Sequence, residues 1–82
     1  MHDRSMMDSL LRKIVAICVA HDASRVASIR VRLGAVSHLN EEHFREHWVD
    51  ATSGTPLEAA TVEVELSPEP FGVLLVDVEL EA

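Results

Sequence analysis

The 82-residue sequence predicts an α/β domain of the two-layer α+β kind, with elements in the order α-β-α-β-β. A three-stranded mixed sheet carries two helices on one face. Three observations predict this. Apolar residues recur at three- and four-residue spacing over residues 5–21 and, more briefly, over 41–52. They switch to period two over residues 25–33, 60–67 and 73–81. Each alternating run has a single apolar face, so both helices are needed on the same side of the sheet.

Ser5-Met6-Met7-Asp8 reads as a capping box, with Ser5 as N-cap of the first helix. Met7, Leu10, Leu11, Ile14, Ile17 and Cys18 form its apolar face. Val15 and Val19 widen that band, so the helix is expected to be well covered and to end near His21 and Asp22. In the first strand Ala27, Ile29, Val31 and Leu33 point one way while Ser28, Arg30 and Arg32 point the other; Gly34 ends it. Asn40 is the expected N-cap of the second helix, with Glu41 and Glu42 in the first turn, where negative charge is favoured. Leu39 and Phe44 form a hydrophobic staple, Phe44, Trp48 and Ala51 the buried stripe, and residues 52–56 the stop.

In the second strand Val62, Val64 and Leu66 alternate with Glu63 and Glu65. In the third, Leu74, Val76, Val78 and Leu80 alternate with Asp77, Glu79 and Glu81. Residues 67–72 between them are a turn and not a linker, so residues 1–82 form one domain. Like charges facing each other across strands cost roughly 0.2–1 kcal/mol per pair, which favours the arginine strand in the middle of the two acidic ones.

A net charge of -7 with only seven Lys and Arg excludes a nucleic-acid binder and a protein drawn to anionic membranes. The apolar stretch 14–20 is far too short to span a bilayer. Asp3, Arg4 and Asp8 interrupt any signal-peptide pattern, and Cys18 has no partner for a disulfide. A cytoplasmic location is expected.

Five histidines carry what site chemistry there is. His43-Phe44-Arg45-Glu46-His47 spells H-x-x-E-H, a zinc-hydrolase pattern. A hydrolase also needs a third ligand, a cleft and normally a larger scaffold, so the pattern reads as a solvated helix face. His21 falls at a helix C-terminus, where its cation complements the dipole. His38, in the loop before the second helix, is either a bystander or a metal ligand. Arg30 and Arg32 are cross-strand ion-pair partners or a docking patch, and Cys18 is packing. His2 differs, because the Met1 amine, the His2 backbone nitrogen and the His2 imidazole can close two fused chelate rings. Three nitrogens at right angles suit square-planar Ni(II) or Cu(II).

Met1-His2-Asp3 followed by Ser5 resembles the start of the HypA/HybF family of hydrogenase nickel-incorporation proteins. The likeness continues through Arg30-Val31-Arg32-Leu33-Gly34, through residues 54–64, similar to the family's G-T-x-x-E-G-A-x-L-x-I stretch, and through the strand at 74–81. The resemblance implies Ni(II) as the ion, held by His2 and Met1 with Asp3 or His38 beside them. It also implies a maturation GTPase and the large subunit of a nickel enzyme as partners, and a possible homodimer. The family inserts a zinc domain with two Cys-x-x-Cys pairs between its last two strands; here residues 67–72 stand in its place, so no structural zinc is expected. Asp3 replaces the usual Glu, and Asn40 stands where some relatives have an acidic residue. The function expected is that of a nickel metallochaperone or accessory protein in hydrogenase maturation, and not an enzyme. The rivals are a metal-free protein–protein adaptor on the same fold and, more distantly, an H-x-x-E-H zinc hydrolase.

Overall fold

The computed structural model describes residues 2–81, and of residues 2–5 the backbone alone. Its elements are helix α1 (His2–Ala20), strand β1 (Arg25–Leu33), a 3-10 turn (Ala35–Ser37), helix α2 (Glu41–Thr52), and strands β2 (Thr61–Leu66) and β3 (Val73–Glu81). The predicted α-β-α-β-β order holds. The sheet order is β2-β1-β3, with β1 parallel to β2 and antiparallel to β3, so the arginine strand does lie between the two acidic ones. Arg32 reaches Glu65 on β2 at 2.9 Å, and Arg30 reaches Glu63 at 3.5 Å. These pairs are half exposed and contribute at most about 1 kcal/mol each; they settle strand order more than stability.

Both helices bury their apolar stripes in one core. Met7, Leu10 and Ile14 of α1 and Phe44 and Trp48 of α2 meet Val26, Ile29, Val31 and Leu33 of β1. Arg30 and Arg32 face the other way, as expected. Asn40 caps α2, its side-chain oxygen accepting from the His43 amide at 2.8 Å. At the far end of α1, Asp22 takes a left-handed conformation (φ 51). The Ala23 amide then reaches back to the Cys18 carbonyl at 2.9 Å and the Asp22 amide to Val19 at 3.2 Å, closing the last turn.

Several expectations need correction. Helix α1 starts at His2, so Ser5 lies inside the helix and is not its N-cap; residues 2–5 contain no Pro or Gly to break the helix. In β1 the ladder with β3 slips between Val26 and Ser28, so Val26 enters the core and Ala27 is displaced from it. A second slip, opposite Arg30 and Val31, adds a residue to β3. Each extra residue reverses the side-chain phase. Val73, Leu75, Val78 and Leu80 therefore face the core, while Leu74 and Val76 are exposed. Val62 and Val64 pack inward from β2, but Leu66, at the strand's end, is 66% exposed. Val15 and Val19 do not widen the buried stripe of α1: they are 54% and 75% exposed.

Residues 67–72 cross the end of β1 and lock onto it. The Gly34 amide donates to the Gly72 carbonyl at 2.8 Å, Ala35 to Glu69 at 2.9 Å, and Val36 to Phe71 at 3.0 Å. Gly34 lies so close to this segment that a β-carbon there would collide with the Phe71 carbonyl oxygen and stand 2.6 Å from its ring. Because the obstacle is backbone, Gly34→Ala should cost about 1–3 kcal/mol, the range for overpacking a well-filled site. A thermal melt should show a drop of roughly 4–8 °C per kcal/mol; an unchanged midpoint would mean that the segment is not held against β1.

Candidate metal centre

The end of the molecule where α1 begins is also the end where β1 finishes. Gly72 is the link: it accepts from Gly34, and a β-carbon on it would sit 3.4 Å from the Met6 sulfur. The 3-10 turn after Gly34 leads directly to His38, and His2 lies one helical turn before Met6, about 6 Å along the axis. Of the expected metal residues, the backbones of His2 and Asp3 thus belong to the same end of the fold as His38. Met1 lies outside the described residues, as do the side chains of His2 and Asp3.

What can be judged there is the backbone. The first four amides of a helix have no intrahelical acceptor. His2 and Asp3 hold two of these positions, so their amide nitrogens can lose protons to a metal without breaking a helical hydrogen bond. A deprotonated amide also brings negative charge to the positive end of the helix dipole, which offsets the repulsion that end exerts on a cation. The donors expected from the sequence, an amine, amide nitrogens and imidazoles, suit Ni(II) or Cu(II) and not a hard oxygen-seeking ion.

His38 is exposed on a backbone of φ 56, ψ 21. The residue before it, Ser37, is fully buried, its hydroxyl donating to the Gly34 carbonyl at 2.8 Å and accepting from the Leu39 amide at 3.2 Å. The sequence reading did not single out Ser37. Serine is a common turn residue, but nothing in the sequence marks Ser37 as buried. Asn40 is engaged as the α2 cap.

The remaining histidines lie elsewhere. His43 and His47 are exposed on α2, beside the buried face of Phe44 and Trp48, and His21 is exposed beyond α1. Among the described residues no group of three or more His, Cys, Asp and Glu could hold a metal. An apolar groove of about 510 Å³ lies at the other end of β1, between Val15, Cys18 and Val19 of α1 and Ala51, Pro56 and Leu57. Among the described residues no helix is long and apolar enough to cross a membrane.

Fold and sequence together define a small α+β domain with candidate nitrogen donors at the start of its first helix. The family described as "Hydrogenase/urease nickel incorporation, metallochaperone, hypA" matches residues 1–71. The chain belongs to that family. It is 29% identical over 68 residues to a hydrogenase maturation factor HypA of Nitrosospira multiformis, covering 83% of this chain and 59% of the relative. It is 35% identical over 66 residues to the factor of the same name from Methanopyrus kandleri, covering 80% and 46%. With that of Archaeoglobus fulgidus it shares 29% over 80 residues, covering 98% and 73%. The chain thus spans about half the length of the first two.

Proposed function

We propose that this chain is a nickel-carrying domain that delivers Ni(II), as cargo, to a nickel enzyme under maturation, and that this enzyme is a hydrogenase. The family match carries the reading, because its span includes Met1-His2-Asp3 and its description is nickel incorporation. The Met1 amine, the His2 amide nitrogen and the His2 imidazole hold the ion, and the fourth position goes to the Asp3 amide, to His38 or to water. The domain, residues 1–82, works without a zinc module, residues 67–72 joining β2 directly to β3. Its partners are a maturation GTPase and the large subunit of the enzyme, with a second copy of the chain as a further possibility, all in the cytoplasm. It binds and releases; it does not catalyse.

Calorimetry with nickel tests this on protein free of any tag. One Ni(II) should bind per chain, an N-terminal extension that turns the Met1 amine into a peptide bond should abolish binding, and replacing His43 or His47 should change little. Equal binding by the extended and free forms would move the metal elsewhere and put the metal-free adaptor in front. Peptide hydrolysis lost with His43→Ala would support the zinc-hydrolase reading instead.

A further inference from the structure

The turn that carries His38 is built more firmly than a loop connecting a strand to a helix requires. Its backbone is fixed from one side by the amides of Gly34, Ala35 and Val36, which donate to the carbonyls of Gly72, Glu69 and Phe71. It is fixed from within by Ser37, which has no exposed surface and uses its hydroxyl both as donor and as acceptor. A buried hydroxyl left unpaired is costly, and here neither capacity is left unused. The backbone of the turn is thereby fixed, while the His38 side chain is left exposed. His38 follows with a left-handed backbone, uncommon for non-glycine residues though less so for Asn, Asp and His, and it is exposed. Strained backbone that the surroundings over-determine points to a side chain being presented for use. The turn lies at the end of the fold where α1 begins, because Gly72, in the segment that pins it, sits beside Met6.

We propose that Ser37 is a positioning residue, and that the turn it closes holds His38 as the side-chain imidazole completing the nickel coordination begun at Met1 and His2. This rests on the nickel-carrying reading above and chooses among the fourth ligands it allows. A metal ligand is oriented by hydrogen bonds behind it, and removing such support typically costs about 10–100-fold in metal affinity. Ser37 acts on His38 through the backbone: it fixes the position and direction of the Cα–Cβ bond from which the imidazole projects. With the hydroxyl gone, the Leu39 amide loses its acceptor and the turn is free to relax away from the left-handed conformation.

The experiment reads the visible absorption of the nickel complex at saturating Ni(II), with affinity from the same titration. His38→Asn keeps a residue that tolerates the left-handed backbone and removes the imidazole; its band should move to lower energy as a weaker ligand replaces the ring. Ser37→Ala should still saturate, with affinity down about 10–100-fold and its band at the His38→Asn position. Ser37→Thr, which keeps the hydroxyl, should restore the original band. Gly34→Ala disturbs the turn from its other side and should shift the band as Ser37→Ala does, which keeps the test open if Ser37→Ala is too unstable to titrate. A merely structural Ser37 would lower the melting temperature and leave the band of the saturated complex unmoved. His38→Asn with the parent spectrum, while His2→Ala loses the metal, would overturn this proposal alone. Parent-like binding by His2→Ala would overturn the nickel reading beneath it.

Discussion

Trp48→Ala should lower the stability of the domain by about 3–5 kcal/mol, the cost of truncating a large aromatic in a core. The tryptophan is 4% exposed and anchors α2 to the sheet from the middle of the helix. One turn earlier, Phe44 is fully buried, and the two rings are stacked with centroids 6.3 Å apart and planes 24° apart. Removing the indole therefore leaves a void and strips Phe44 of its partner. One turn later, the Thr52 hydroxyl donates to the Trp48 carbonyl at 2.7 Å, which secures the last turn of α2 but does nothing to fill that void. Against a typical reserve of about 5–15 kcal/mol the loss is a large fraction of the whole. At roughly 4–8 °C per kcal/mol for a domain of this size, the midpoint should fall by at least about 12 °C. Circular dichroism during a thermal melt measures it. A midpoint within a few degrees of the parent would show that α2 is held by something other than its aromatic pair.

The tryptophan was legible in the sequence because a short helix with two large apolar residues one turn apart has only one way to face a sheet. The strand order was legible for a comparable reason: two arginines on one strand and carboxylates on two others leave only the central position free of like-charge neighbours. What periodicity could not reveal were the two β-bulges. A bulge inserts one residue without changing composition, yet it exchanges the inward and outward sets on one side of it. Leu74 and Val76 obeyed strict alternation with Val78 and Leu80 in the sequence and are nevertheless exposed, because the chain slips between them and the rest of the strand. Val15 and Val19 illustrate a different limit. They lie on the same broad apolar band as Ile14 and Cys18, but two layers offer α1 only the sheet below and α2 beside it, so part of the band is left facing the groove.

The proposed metal centre divides in the same manner. His2 could be singled out because an imidazole beside a free amine is a chelator in any fold, so position in the chain sufficed. Ser37 could not be valued without the structure: its importance comes from zero exposure and two hydrogen bonds, neither of which a lone serine between Val36 and His38 announces.

His2→Ala should abolish one-to-one nickel binding, and the parent's affinity should collapse on acidification. The substitution removes the imidazole and one of the two chelate rings, leaving the amine and amide too weak a pair to displace the amide proton. The pH dependence follows from proton counting. Binding requires a neutral amine, a neutral imidazole and a deprotonated amide, and each proton displaced makes affinity fall about tenfold per pH unit below that group's pKa. The amide contributes at every accessible pH, the amine below about 7.7–8.0 and the imidazole below about 6.5. The slope should therefore steepen from about tenfold per unit above pH 8 to about a hundredfold near pH 7 and about a thousandfold below pH 6. The sign is fixed, since protons compete with the ion for all three nitrogens. Titrations with nickel from pH 8.5 to about 5.5, a range spanning both reference values, measure the slope directly. A slope near zero above about pH 7, rising only below about 6.5, would mean that imidazoles alone lose protons to the metal. Ordinary side-chain imidazoles, and not the chelate at Met1 and His2, would then hold the metal.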